Sequence, residues 1–235
     1  MSPPLAVVDL GRRAYGPVLE LQRDLCRRRL TGELADDLLL LVEHEPVVTL
    51  GRGTRPGSLP LPRELLERRG IEVFEAERGG DVTLHAPGQL VGYPILDLHG
   101  WRCDLHWYLR QLEAVLIEGL GALGIAAGRN PGKTGVWTGG GTRKIASIGI
   151  HVKQWVTMHG FALNVSTDLA LFNLIVPCGI PDVVMTSVQA EGRRGGGAEG
   201  LWQQSRAAVL RAFAGAFERE LEPRTPATLG ASAPR

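Results

Sequence analysis

The chain has 235 residues, of which 44% are hydrophobic and 22% are charged, and its formal net charge is +1. This composition is typical of a soluble globular protein with a sizeable core, and the near-neutral charge excludes nucleic-acid binding that relies on bulk positive charge. The sequence lacks a recognisable signal peptide, and its longest aliphatic run, 38–42, is too short to cross a bilayer, so we expect a cytoplasmic protein without membrane contact.

Hydrophobic periodicity predicts short strands and helices along the whole chain. In the first half we expect strands at 7–10, 37–43, 71–77 and 90–98, a turn and strand within 44–51, a polar strand within 78–89, and helices at 12–30 and 62–69. In the second half we expect a helix capped by Asp104 and reaching 123, strands at 136–137, 142–152 and 157–165, a loop or short helix at 167–175, and a helix at 199–221.

No internal repeat or linker interrupts this pattern, so we predict a single domain over 1–222. The remaining segment, 223–235, is rich in Pro, Ala and Ser and is predicted to be a disordered tail.

Cys178 is a candidate nucleophile. It stands between Pro177 and Gly179 in an apolar segment, which predicts a turn rather than a position inside a regular element. Loops held by a rigid scaffold often carry reactive residues, although a cysteine in an apolar segment is more often a packed hydrophobe. The three cysteines are too widely spaced for a disulfide framework, and Cys26 falls on the apolar face of the first predicted helix.

Lys144 is the second residue that indicates reactivity. The strand that follows it alternates, so Ala146, Ile148 and Ile150 share one face, and Lys144 falls on the same phase. A lysine on an apolar face loses hydration, which favours its neutral amine. Such a lysine can act as a base or, when charged, stabilise a thiolate. A second interpretation stays open, since a lysine at the first position of a strand can extend to water.

Two histidines, His85 and His159, stand at polar, glycine-flanked strand ends. Either could orient a nucleophile or donate to an oxyanion, although most histidines in such positions are structural. The Arg-Gly-Gly segment at 78–80 could present backbone N–H groups to an anion, but it matches no nucleotide-binding fingerprint. Cys103 and His106 lack a second pair of ligands nearby, so we expect no metal site.

Together these segments resemble one enzyme family. Arg78-Gly-Gly80 with Thr83, His85 and Pro87-Gly-Gln89 is similar to the signature segment of the lipoyl (octanoyl) transferases. Further matches, in the family's order and spacing from about 7 to 221, are Glu43-His44 with Thr49-Leu-Gly51, Gly135-Val-Trp137, Lys144-Ile-Ala-Ser-Ile-Gly149, His159-Gly-Phe-Ala-Leu-Asn164 and Pro177-Cys-Gly179. Leu84, Ala86 and His151 depart from the family's usual aromatic residue, glycine and arginine, so the pocket should differ in its fine shape.

The resemblance implies an α+β fold, a mixed sheet flanked by helices, as in biotin and lipoate protein ligases. It implies an enzyme without cofactors that takes an octanoyl group from octanoyl-acyl carrier protein. The acceptor would be a lysine on the lipoyl domains of 2-oxoacid dehydrogenases or on the glycine-cleavage H protein. Cys178 would form the acyl thioester and Lys144 would favour its thiolate. The residues implied to bind substrate are Arg78, Gly79, Gly80, Asp81, Val82, Thr83, Leu84, His85, Ser147, Ile148, Gly149, Gly160, Phe161 and Ala162.

Two alternative functions stay open. An ATP-dependent lipoate or biotin-type ligase would share the fold, but it needs no acyl-cysteine. A non-catalytic binder of acyl groups or carrier proteins would tolerate the loss of Cys178 or Lys144, yet both residues are present. For the transferase, we expect the N–H of Gly79, Gly80 or Gly179 to stabilise an oxyanion, and a local basic patch to attract the acidic protein partners.

Overall fold

The computed structural model describes residues 3–192 and 197–230 of the chain. Its strands are β1 Leu5–Arg13, β2 Leu38–His44, β3 Val47–Leu50, β4 Glu72–Glu75, β5 Thr83–His85, β6 Gln89–Ile95, β7 Ala127–Asn130, β8 Lys133–Thr138, β9 Arg143–Lys153, β10 Val156–Asn164, β11 Val184–Met185 and β12 Leu221–Arg224. Its α-helices are α1 Tyr15–Thr31, α2 Arg63–Glu67, α3 Leu105–Ala122 and α4 Gly197–Phe217.

Most of the strands belong to one mixed sheet, in the order β12-β1-β2-β6-β10-β9-β8-β7, with β11 paired to β9. β1 runs parallel to both β12 and β2, whereas the pairs that lead from β2 to β7 are antiparallel. Three further strands form a small sheet in the order β4-β3-β5.

The mixed sheet is buried on both faces, as the leucine run of β2 predicts. Leu39 and Leu41 pack with α3 and α4 on one face, whereas Leu38 and Leu40 pack with α1 on the other. Successive side chains of a strand point to opposite faces, so each face receives alternate leucines. The predicted α+β class, a mixed sheet flanked by helices, is confirmed.

The small sheet holds the segment that leads to Cys178. Phe172 and Ile175 pack in the core of the small sheet, and a 3-10 helix forms over Leu169–Leu174, within the segment predicted as a loop or short helix. The N–H of Cys178 then donates to the carbonyl of Val82 at 2.9 Å. These contacts fix the cysteine against the small sheet.

The first strand and helix differ from the sequence prediction. β1 continues beyond 7–10, because Arg12 and Arg13 pair with Glu43 and His44 of β2. The helix predicted from 12 therefore begins only at Tyr15. Strand pairing over a long sequence separation decides this boundary, and local periodicity does not report it.

The C-terminal segment is folded as far as it is described, so the predicted tail over 223–235 is wrong for 223–230. β12 pairs with the outer edge of β1, and the Arg224 guanidinium lies 2.6 Å from the Asp36 carboxylate. Leu229 is only 2% exposed and packs in the core beneath α1. Strand pairing and the burial of one leucine thus outweigh a composition typical of a tail; residues 231–235 lie outside the described residues.

Candidate active site

A cavity of about 400 Å³ lies where the two sheets meet the turn that carries Cys178. Most of the residues predicted to be catalytic or to bind substrate line this cavity, although they come from four separate segments of the chain. They are Arg78, Gly79, Gly80, Asp81, Thr83, His85, Lys144, Ser147, Ile148, Gly149, Gly160, Phe161, Ala162 and Cys178.

Val82 and Leu84 do not line the cavity. Both side chains are fully buried in the core of the small sheet. The backbone alternates here, so Thr83 and His85 face the cavity while their neighbours face away from it. The assignment of these two side chains to the substrate site is therefore corrected, although the Val82 carbonyl still anchors Cys178.

Cys178 occupies a strained position in a single 3-10 turn, Pro177–Gly179. Its φ is +57°, a left-handed conformation that non-glycine residues adopt rarely and at a cost. Gly179 follows with φ +63°, and a Cβ at that position would overlap the Asp81 carboxylate. The close approach of Asp81 therefore requires a glycine directly after Cys178.

Lys144 is buried beside Cys178. Its side chain is 1% exposed, and its Nζ donates a hydrogen bond to the Cys178 sulfur at 2.9 Å. The interpretation in which the lysine extends to water is therefore excluded. Gly135 of β8 makes room for it, because a Cβ there would lie 2.8 Å from the Lys144 Cε. A lysine ammonium at this distance favours the thiolate form of a cysteine.

A second cation, Arg78, lies in the cavity wall. Its guanidinium donates to the Asp81 carbonyl at 2.7 Å and to the Thr49 carbonyl and hydroxyl at 2.6 and 2.8 Å. Among the described residues no carboxylate accepts a hydrogen bond from it. Burial lowers the pKa of Arg78, and its electrostatic interactions with Tyr15 and Cys178 oppose this effect. Arginine stays charged in such sites, so the cavity wall carries a fixed positive charge.

Among the described residues, one of the three predicted backbone donors remains available for an oxyanion. The N–H of Gly79 donates to the Ile150 carbonyl at 2.8 Å, and that of Gly179 donates to the Val176 carbonyl at 2.9 Å. Gly80 lines the cavity, and within the described residues its N–H has no protein acceptor. Of the three predicted donors, Gly80 is therefore the candidate that the geometry leaves.

His85 is a neutral histidine in the cavity wall. Burial lowers its pKa to about 3. Its Nδ1 lies 2.7 Å from the Gln89 side-chain oxygen, and its ring stacks on Tyr15 at a centroid distance of 5.9 Å. Since the Gln89 oxygen can only accept, we assign the proton to Nδ1. His85 can orient a substrate by hydrogen bonding, but it is too weak a base to hold a proton near neutral pH.

His159 also lines the cavity, and it adopts a left-handed φ of +58° within β10. The backbone N–H of His159 donates to the Gln22 side-chain oxygen at 2.9 Å, which stabilises this conformation. Its Nε2 lies 3.5 Å from the Glu77 carboxylate, and burial lowers its pKa. The described structure thus gives His159 a structural anchor and brings no nucleophile within hydrogen-bond distance of it.

Several cavity residues escape sequence analysis. Tyr15 falls on the apolar phase of α1 and Tyr93 stands in an apolar strand, so both are predicted as core residues. Tyr93 lies beside His44, and the Tyr93 hydroxyl is 2.8 Å from the His44 Nε2. Arg55, from an exposed loop, and Lys133, the exposed first residue of β8, also line the cavity, and no local pattern places them there.

No helix in the described part of the chain is both long and apolar enough to cross a membrane. Over residues 3–192 and 197–230, no three His, Cys, Asp or Glu side chains gather closely enough to hold a metal ion.

Comparison with known proteins gives concordant matches. Residues 14–214 match the family described as Lipoyl protein ligase A/B catalytic domain. The chain is 55% identical over 186 residues to the octanoyltransferase of Solibacter usitatus, an alignment that covers 79% of this chain and 83% of that enzyme. It is 47% identical over 211 residues to the octanoyltransferase of Geobacter sulfurreducens, covering 90% and 84% of the two chains.

One solved structure with the same fold comes from the structural analysis of a bi-partite lipoate protein ligase and its E2 lipoyl domain from Thermoplasma acidophilum. Its TM-score to this chain is 0.71 at 17% identity, over 96% of this chain and 87% of that chain. The expectation of a fold shared with lipoate protein ligases is thereby confirmed.

Proposed function

This chain belongs to the lipoyl protein ligase A/B catalytic-domain family, its activity is octanoyl transfer in protein lipoylation, and we propose that Cys178 carries the octanoyl group as a thioester between donor and acceptor. The observation that carries this proposal is the 2.9 Å hydrogen bond from the Lys144 Nζ to the Cys178 sulfur, inside the cavity. Thioester exchange requires a thiolate, and an adjacent ammonium favours that form.

In the first half-reaction, the Cys178 thiolate attacks the thioester carbonyl of the donor. The carbonyl oxygen gains negative charge. The Gly80 N–H stabilises this charge by a hydrogen bond, and the Arg78 guanidinium stabilises it through its positive charge. The donor's sulfur then leaves, taking the proton of Lys144. The products are octanoyl-Cys178, a neutral Lys144 amine and a free carrier thiol, so charge and protons balance.

In the second half-reaction, the acceptor lysine attacks as a neutral amine. Lys144, which is neutral at this stage, takes the excess proton from the attacking nitrogen as a general base. The carbon–sulfur bond breaks, the amide forms, and Cys178 returns to its thiolate beside a charged Lys144. One lysine therefore acts as acid in the first half and as base in the second.

The octanoyl chain requires an apolar lining. Ile148, Phe161 and Ala162 supply such surface in the cavity wall. Each buried methylene contributes about 0.8 kcal/mol, so the chain itself supplies much of the binding free energy. The cavity is large enough for a chain of this size, because small-molecule sites begin at roughly 300 Å³.

The acceptors are lipoyl-domain proteins. We propose that the donor is octanoyl-acyl carrier protein. The specific acceptors that we propose are the lipoyl domains of 2-oxoacid dehydrogenases and the glycine-cleavage H protein. Exposed Arg55 and Lys133 line the cavity, and neither forms an ion pair with another described residue. Two unpaired cations at the cavity support the docking of an acidic carrier.

Intact-mass measurement after incubation with octanoyl-acyl carrier protein, without ATP, tests the proposal. An octanoyl adduct is expected on the wild-type chain and not on the Cys178→Ser variant. Product that forms only after ATP is added, with no adduct, would instead support an adenylating ligase. If no product forms with or without ATP, the chain is a non-catalytic binder of acyl groups or carrier proteins.

A further inference from the structure

We propose that Trp137 is a positioning residue that keeps Lys144 charged beside Cys178 through the face of its indole ring. The inference rests on the proposed function in one respect, that Cys178 reacts as a thiolate. It assigns to Trp137 an electrostatic role that is separate from its contribution to the core.

The pairing of β8 with β9 places the ring where it can act on the lysine. Trp137 is the register partner of Lys144 across the two strands. The Lys144 Nζ lies 5.4 Å from the centroid of the indole ring, within the range of a cation–π interaction. Trp137 is 2% exposed and Lys144 is 1% exposed, so little water screens this contact.

The Lys144 ammonium has few partners in the described structure. Among the described residues its Nζ makes one hydrogen bond, to Cys178, and forms no ion pair with a carboxylate. The Cys178 thiolate is therefore the anionic partner of this ammonium in the described structure, and the ring face adds a second attractive contact to it. An aromatic face stabilises the ammonium without accepting its proton, whereas a carboxylate would hold the ammonium permanently and compete with the thiolate.

Two further observations support a role for the ring face. The Trp137 Nε1 is buried and has no hydrogen-bond partner in the described part of the chain. A buried indole N–H without a partner is unfavourable, and phenylalanine or leucine would avoid that cost. A second cation, Lys133, also lies over the ring, with its Nζ 5.5 Å from the centroid. The position thus keeps a strongly attractive ring despite an unsatisfied polar atom.

The test measures iodoacetamide alkylation of each cysteine by peptide mass spectrometry between pH 6 and pH 9. The protein provides its own controls, because Cys103 is exposed and Cys26 is buried. Cys103 reports the reagent, and protection of Cys26 reports an intact fold. In the Trp137→Leu variant, Cys178 alkylation at pH 7 should slow about 3- to 30-fold and its pH profile should move to more alkaline values. Trp137→Phe should recover part of the rate.

An unchanged Cys178 profile in Trp137→Leu, with Cys26 still protected, would overturn the proposal. If the leucine variant exposes Cys26, a second measurement decides. The five tryptophans are replaced by fluorinated tryptophan, which keeps the ring shape and weakens its negative face. The Cys178 profile must then move alkaline with each added fluorine, and the lack of a trend refutes the role. Failure of the proposed function is distinct, since wild type would then form no octanoyl adduct.

Discussion

The side-chain nitrogen of Lys144 lies 2.9 Å from the sulfur of Cys178, although 34 residues separate the two in the chain. Lys144 belongs to β9 of the mixed sheet. Cys178 lies on a turn next to the small sheet, and its backbone N–H donates to the carbonyl of Val82. Each sheet thus positions one member of the pair, and the pair exists only where the two sheets meet.

Removal of the Lys144 side chain should lower the reactivity of the Cys178 sulfur. In Lys144→Ala we expect Cys178 alkylation at pH 7 to slow about 10- to 100-fold, because the thiolate loses its adjacent charge. Lys153→Ala, a matched change at the exposed end of the same strand, should react like wild type. A wild-type alkylation rate in Lys144→Ala would show that Lys144 does not stabilise the Cys178 thiolate.

Gly179→Ala should displace the cysteine. The new Cβ would overlap the Asp81 carboxylate, so the turn must shift, and a shift of about 1 Å at a nucleophile costs about 100-fold in rate. Gly32→Ala is the matched control, since Gly32 has φ +78° and open space around its Cβ position. Transfer assays should show a loss confined to Gly179→Ala, while Gly32→Ala should lose only about 1 kcal/mol of stability from backbone strain. Equal activities in the two variants would contradict the requirement.

Buried neutral histidines should make the fold sensitive to acid. Burial lowers the pKa of His44 to about 4 and that of His85 to about 3, against about 6.5 in the unfolded chain. As pH falls below about 6.5, the unfolded state binds protons first. Stability is therefore complete above about pH 7 and is lost towards pH 4, at about 1.4 kcal/mol per pH unit for each histidine.

Urea unfolding at pH 7.5 and pH 5.0 measures this effect. His85→Gln should lose about 2 kcal/mol less than wild type between the two conditions. Exposed His106→Gln should lose as much as wild type. An equal loss in all three proteins would show that His85 is not the group responsible.

The cations at the cavity should affect a carrier-linked donor through charge. Arg55→Glu and Lys133→Glu should each raise the KM for octanoyl-acyl carrier protein about 10-fold at low salt, and the effect should shrink as salt is added. Arg211→Glu makes the same charge change on α4, no residue of which lines the cavity, and should have little effect. A salt-independent change, or an equal change in Arg211→Glu, would argue against electrostatic docking at the cavity.

The C-terminal segment should contribute to stability. Leu229→Ala should lower the free energy of unfolding by about 2–4 kcal/mol, because Leu229 is buried in the core beneath α1. Leu105→Ala, at a leucine that is 44% exposed, should cost far less. Denaturant unfolding of both variants measures the difference, and equal stabilities would restore the tail interpretation.

Much of the site could be predicted from local patterns. The phase of the alternating strand places Lys144 on a buried face, and the Pro-Cys-Gly sequence places Cys178 on a turn. Asp104 caps α3 as predicted, with its carboxylate accepting from the N–H groups of His106 and Trp107. These features depend on neighbours within a few residues, which is why the sequence alone determined them.

Other features depend on contacts between distant segments. Pairing with β1 folds the C-terminal segment, and alternation in the small sheet turns Val82 and Leu84 away from the cavity. A hydrogen bond to the distant Ile150 carbonyl occupies the N–H of Gly79, one of the three candidate donors. The register of β8 on β9 brings Trp137 over Lys144. Only the tertiary structure decided these, because periodicity records which face of an element is buried and not which residue it meets.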